Sequence, residues 1–143
     1  MTIIWKQNFE LTKLNQNIAT GLGEMLEIKI VGRGNDWLMA QMPVKAQHKQ
    51  PFGIVHGGAT AALAESTGSA ASHLFVDLTK FEVRGFEITA NHIKSKKDGI
   101  VTATARPIHR GKTTHLWEVK VTDETGSLIS LCKLSMIVLS KKA

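Results

Sequence analysis

Apolar and polar positions alternate along most of the chain, and the period of the alternation changes from one stretch to the next. Leu11, Leu14 and Ile18 stand at helical spacing and predict a short helix over Leu11–Ala19, ended by Gly21 and Gly23. Leu26, Ile28 and Ile30 then alternate with Glu27 and Lys29, the pattern of a half-buried strand. Gly32–Asn35 reads as a turn and Trp37–Val44 as a second strand. A loop from His48 to Gly58 holds Pro51 and the three glycines Gly53, Gly57 and Gly58. From about Gly58 to Phe75 the sequence is alanine-rich and apolar nearly all the way round, as in a helix enclosed by the rest of its fold.

Four strand-like segments follow. Val83–Ser95 carries Phe86, Ile88 and Ala90 on one face, and Val101, Ala103 and Ala105 alternate with Thr102, Thr104 and Arg106. Trp117, Val119 and Val121 alternate with Glu118, Lys120 and Thr122, and Leu128–Leu139 is apolar on both faces. Asp98-Gly99 is a two-residue hairpin signal, and Asp123–Gly126 marks a further turn. Strand, strand, long helix and four strands make an α+β protein, with an antiparallel sheet wrapped around one central helix.

At 143 residues, with no internal repeat or Pro/Ser-rich linker, the chain is expected to form one domain over residues 1–143. Hydrophobic residues at 43% and charged residues at 21% exclude a disordered or collagen-like chain. Cys132 is the sole cysteine, so no disulfide can form within the chain, and a cytoplasmic location is expected. Placed beside Leu131 and Leu134, it reads as a core residue. The opening from Met1 to Phe9 lacks the apolar core of a signal peptide. The small-residue stretch Ala59–Ala71 is interrupted by Glu65 and is too short to span a membrane. His-Glu-x-x-His, Gly-x-Ser-x-Gly and the phosphate-binding glycine motifs are absent, which argues against a metal site, a serine-hydrolase elbow and a nucleotide cofactor.

Net charge is +6, and it is uneven. Lys94, Lys96, Lys97, Arg106, Arg110 and Lys112 fall in one window opposed only by Asp98. Such a patch suits an anionic partner, either a small phosphorylated ligand or a nucleic acid. The chain has no tyrosine and no aromatic RNA-binding signature, so nucleic acid is not expected.

Glu65 is the one acid or base between Gly57 and Ser72, and its helical neighbours Ala61, Ala62, Gly68 and Ser69 include no cation. Either it reaches solvent at a helix edge, or it is held in a pocket as a nucleophile or general base. His56-Gly57-Gly58 opens the same helix, where free N–H groups and the dipole favour a carbonyl oxygen acquiring negative charge. Gly57 and Glu65 lie ~12 Å apart along a helix, too far to touch one reacting carbonyl. If both serve one site, two copies of the chain must meet, which predicts a homodimer with composite sites.

The run Gln50-Pro51-Phe52-Gly53-Ile54-Val55-His56-Gly57-Gly58, followed by Ala64-Glu65-Ser66 and Gly68-Ser69, resembles the hotdog-fold acyl-CoA thioesterases. The branch most similar is that of the 1,4-dihydroxy-2-naphthoyl-CoA and hydroxybenzoyl-CoA thioesterases. The resemblance continues through Ala90-Asn91-His92, Pro107-Ile108-His109 and Trp117, from Trp5-Lys6 to the last strand. It implies that Glu65 attacks the thioester carbonyl or activates water. It also implies that the Gly57 N–H polarises the carbonyl, Gln50 hydrogen-bonds beside it, and His56 orients the loop. Ser69 would position water, and His92 would lie near the thioester. Gln50, His56 and Gly57 would come from one subunit, Glu65 and Ser69 from the other, with dimers pairing into a tetramer. Coenzyme A, as part of the substrate and not a cofactor, would bind along Gly85, His92, Ile93, Lys94 and Ser95 and the loop His109, Arg110, Gly111, Lys112, Thr113 and Thr114. Phe52, Leu63, Phe75 and Phe86 are candidates to line the acyl pocket. Rival readings are a hotdog hydratase or dehydratase, and a non-catalytic acyl-CoA or nucleic-acid binding module.

Overall fold

The computed structural model describes residues 2–142. Its elements run α1 (Leu11–Ile18), α2 (Leu22–Met25), β1 (Lys29–Arg33), β2 (Leu38–Pro43), a single 3-10 turn (Ala46–His48), α3 (Gly57–Phe75), β3 (Phe81–His92), β4 (Ile100–Arg110), β5 (Thr114–Thr122) and β6 (Leu128–Ser140). The six strands form one antiparallel sheet in the order β1-β2-β4-β5-β6-β3. The long helix α3 lies against it and touches β2 through β6. This is the α+β architecture expected, and no described helix is long and apolar enough to cross a membrane.

The period-two alternation becomes the burial pattern. Val101, Ala103 and Ala105 on β4 and Trp117, Val119 and Val121 on β5 are all fully buried under α3. Glycine at 68 sets the helix close to the sheet, since a Cβ there would lie 2.7 Å from Leu134 Cδ2. One hydrogen-bonded group ties helix and sheet together inside the core. The Trp117 indole donates to Ser72 Oγ (2.6 Å), which also bonds His115 Nδ1 (3.0 Å). His115 packs edge-on against Phe75, and its Nε2 has no partner in hydrogen-bond geometry among the described residues. Burial depresses its pKa, the nearby His109 adds to this, and the Gly111 backbone only partly offsets it. Cys132 is buried as expected, and burial raises its thiol pKa.

Three expectations are corrected. The strand from Leu26 is displaced, because Leu22–Met25 winds into a helical turn and Glu27 takes φ 56°. Lys45 and Gln47 hold the Glu27 carboxylate at 2.8 and 2.9 Å, and the strand starts only at Lys29, with Ile28 and Ile30 still buried. Asp98-Gly99 joins no hairpin, since β3 pairs with β6 while β4 lies between β2 and β5. Gly99 adopts the positive φ of a turn, but its segment is tied elsewhere: Val44 N–H donates to Gly99 O and Val55 N–H to Lys96 O. In β3 a bulge between Gly85 and Glu87 breaks the register, leaving Phe86 exposed while Ile88 and Ala90 are half-buried.

Replacing Ser72 by alanine strands the Trp117 N–H and the His115 ring in the core, and is expected to lower unfolding free energy by ~1–3 kcal/mol in urea titrations. The unfolded imidazole binds a proton near 6.5 while the buried ring resists it. Stability should therefore fall as pH drops below 6.5, by up to ~1.4 kcal/mol per pH unit, and His115→Gln should flatten that limb.

Candidate active site

The site begins at the head of α3. His56 takes extended dihedrals as the N-cap, and its Nδ1 accepts the Gly58 N–H at 2.8 Å. Glycine at 57 leaves room for the His92 ring, because a Cβ there would lie 2.6 Å from His92 Nε2. His92 is held from the other side by Ser130 Oγ, 3.0 Å from its Nδ1. Gln50 Oε1 accepts the Phe52 N–H, which leaves the Gln50 amide hydrogens free to donate. Gln50, Gly57, Thr60, His92 and Lys94 line one cleft of ≈ 240 Å³. Thr60 is 1% exposed, and its hydroxyl has no partner among the described residues.

The second half of the site lies farther along the helix. Glu65 is exposed at mid-helix, with no hydrogen bond or ion pair among the described residues. Of the two readings open from sequence, a single chain shows a solvent-facing carboxylate. The carboxylate leans over the edge strand at Gly85, where a Cβ would lie 2.8 Å from Glu65 Oε1. Ser69, one turn on, lines a larger cleft of ≈ 670 Å³ between α1 and α3, together with Phe9, Leu14, Leu22, Ser66 and His73. None of the four aromatic or leucine candidates for the acyl pocket lines this cleft. Leu63 is fully buried in the core, Phe75 packs edge-on with His115, and Phe52 and Phe86 point outward at 91% and 59% exposure.

The His109–Thr114 turn belongs to the Glu65 end of the sheet. His115 is opposite Met136, which is opposite Gly85, whereas His92 pairs with Ser130 at the far end. The Arg110 guanidinium sits 5.5 Å over the Phe75 ring. The sequence-derived residues thus fall into two groups. Gln50, His56, Gly57 and His92–Ser95 lie at one end of β3. Glu65, Ser69, Gly85 and His109–Thr114 lie at the other, ~23 Å away along an extended strand.

The basic window is weaker than its composition suggests. Lys94 pairs with Asp123 (3.5 Å), Lys96 with Glu124 (2.6 Å) and Arg106 with Asp36 (3.1 Å), all acids from outside the window. The Thr125 hydroxyl and the Ser127 and Thr125 N–H groups hold the Asp123 carboxyl down at about 2. Lys97, Arg110 and Lys112 make no ion pair among the described residues and remain the available cations.

Comparison with known proteins decides the family. The model of the thioesterase superfamily matches residues 52–130, which span the helix and both ends of β3. The chain belongs to the thioesterase superfamily. This thioester hydrolase is 40% identical to the 1,4-dihydroxy-2-naphthoyl-CoA hydrolase of Escherichia coli, over 96% of its own length and all of that protein's. It is 39% identical to the proofreading thioesterase EntH of Cronobacter turicensis, over 96% and 99% of the two chains. A crystal structure of a mutant thioesterase from Pseudomonas aeruginosa superposes with a TM-score of 0.94 at 38% identity, covering 96% of this chain and 99% of that one. The sheet wrapped around α3 is the hotdog fold.

Thr60 and His73 escaped the sequence reading. Nothing in the pattern distinguishes a threonine one turn into a helix, or a histidine in its last turn, from packing residues; only the clefts single them out. Because a Cβ at 57 must displace the His92 ring, Gly57→Ala in the thioesterase is expected to cut thiol release from acyl-CoA at least ~10-fold while circular dichroism is unchanged.

Proposed function

We propose that this thioesterase hydrolyses an aromatic acyl-CoA at two equivalent sites, each completed by two copies of the chain. The observation that carries the reading is the division of its polar residues between opposite ends of β3. That strand is last in the sheet, so one of its edges is open to pairing. Antiparallel pairing of two β3 edges about a two-fold axis, centred near Ile88, would set the Gly85 end of one copy against the His92 end of the other. It would also cover Phe86 and Phe52, which otherwise stand in water. The resemblance extends this to a tetramer of two dimers, and the buried lone thiol of Cys132 suits the cytoplasm, where coenzyme A esters are used.

The chemistry follows from what each half offers. The thioester oxygen sits at the head of α3, where the Gly57 N–H and the free Gln50 amide donate to it and the helix dipole stabilises the developing negative charge. Glu65 of the other copy attacks the carbonyl carbon, or takes a proton from the water that does. The carbon–sulfur bond breaks and coenzyme A leaves as its thiol with a proton from water; where Glu65 was the nucleophile, a water molecule then cleaves the acyl–glutamyl anhydride, and by either route the acyl group is released as the acid. Ser69 steadies the water, and His56 holds the loop through Gly58. The pantetheine arm runs past His92, Ile93, Lys94 and Ser95, and the nucleotide phosphates meet Arg110 and Lys112 across Gly111, Thr113 and Thr114, with His109 and Gly85 beside them. The cleft beyond Ser69, lined by Phe9, Leu14 and Leu22, takes the acyl group. Relatives that bear the name naphthoyl-CoA hydrolase support an aromatic one.

Glu65→Gln is expected to lower kcat ~10²–10⁴-fold on aromatic acyl-CoA while coenzyme A affinity is kept. Equal turnover in the variant would remove Glu65 from the reaction, and a wild type that binds coenzyme A without releasing thiol would point to a non-catalytic module. Subunit mixing tests the composite site. Glu65→Gln and Gln50→Ala homodimers, each impaired, should on exchange regain about a quarter of the wild-type rate, because half of the dimers then hold one intact site of two. No recovery, or a monomer in sedimentation, would sink the shared site.

A further inference from the structure

We propose that His73 is a specificity-determining residue that reads a hydrogen-bond donor, an aromatic hydroxyl, at the far end of the acyl group. The inference rests on the acyl-CoA thioesterase reading above and deepens it. His73 lines the cleft between α1 and α3 together with Ser66 and Ser69. Its Nδ1 lies 2.8 Å from the Ser69 carbonyl oxygen, one turn back along the helix. A carbonyl can only accept, so Nδ1 carries the proton and donates it, and in the neutral ring Nε2 keeps a bare lone pair. No described residue donates to that lone pair. The tautomer is therefore fixed by the helix itself, and what is left over on the cleft side is an acceptor. Apart from Lys13 the cleft carries no charged residue, and its walls include Phe9, Leu14 and Ile18. A neutral donor on an apolar ring matches that lining better than a carboxylate, which would face the imidazole lone pair unfavourably.

The spacing points the same way. Glu65 and His73 are ~12 Å apart in helical rise. Attack on the carbonyl carbon takes up ~3 Å of that distance and a hydrogen bond to Nε2 another ~3 Å. The remaining ~6 Å matches the distance from the carbonyl carbon of a benzoyl group to an oxygen on its para position. Aliphatic acyl groups fill such a cleft without addressing His73, so discrimination falls on the hydroxyl and not on ring burial.

The experiment compares kcat/KM for 4-hydroxybenzoyl-CoA and 4-fluorobenzoyl-CoA, since fluorine matches the hydroxyl in size but cannot donate. The wild type is expected to favour the hydroxyl ester, although the hydroxyl makes the carbonyl less reactive. His73→Phe, which keeps a ring but removes the acceptor, is expected to lower the hydroxy-to-fluoro ratio ~10-fold. His73→Gln keeps an acceptor oxygen, and its ratio should lie above that of the phenylalanine variant. A fall in both rates that leaves the ratio unchanged would mean that His73 only shapes the helix end, and would overturn the inference. A wild type that hydrolyses both esters with no preference overturns it as well, while leaving the thioesterase reading intact and needing no variant to fold. Hydrolysis of neither ester overturns both.

Discussion

The seating of α3 on the sheet is the contact on which the rest depends. Trp117 reaches up from β5 to Ser72, and Gly68 lets the helix down onto Leu134. A buried indole N–H without its serine would cost more than most single contacts contribute, so this bond selects one rotation of the helix. Once that rotation is set, the face bearing Glu65 must lie over Gly85, and the helix head must meet His92. The two missing side chains, at 57 and 85, are where the helix ends of the site touch the edge strand. Each is a place where polar atoms come closer than a methyl group would allow.

A rigid rod also sets the quaternary problem. The head of α3 and the Glu65 carboxylate share one helix, so their separation cannot be adjusted by local motion. An open sheet edge running antiparallel to that rod offers the way to bring them together, through a second copy turned end for end. In the proposed dimer the ligand would lie along a line that crosses from one copy to the other, its acyl end under α1 and its anionic end among Arg110 and Lys112. Charge is placed sparingly. Lys94, Lys96 and Arg106 are already matched by acids, so of the basic window Lys97, Arg110 and Lys112 are left, the last two at the end of β4 and the turn after it.

Much of this was legible in the chain because it is periodic or chemically odd. Val101–Ala105 and Trp117–Val121 alternate cleanly and are buried accordingly, and the apolar circumference of α3 announced an enclosed helix. Glu65 stood out as an acid without neighbours, and the motif around Gln50–Gly58 carried the family. What failed depended on tertiary neighbours. Asp98-Gly99 has the chemistry of a hairpin, but pairing is decided by which strands share the sheet, and β4 found β2 and β5. The basic window was counted along the chain, whereas Asp36, Asp123 and Glu124 arrive through space. The cleft between α1 and α3 could not be read at all, since it is the gap between an N-terminal helix half-buried on one face and a core helix, and neither half reveals the space left between them.

The two walls of that cleft stand under very different constraints. α1 has no buried residue, and the segment before it is fastened to the end of α3 by backbone and amide bonds, with Gln7 donating to the His73 and Val76 carbonyls. Those carbonyls exist whatever the neighbouring side chains are. Asn15, however, ties α1 to β1 through the Ile30 N–H and carbonyl, and Leu11, Leu14 and Ile18 pack on the core, so Lys13 and Asn17 are the α1 positions that face the cleft and can change without disturbing the sheet or the seat of α3. Under the proposed function, a change of acyl preference falls on those exposed positions of the short helix, with α3 and its seat left as they are.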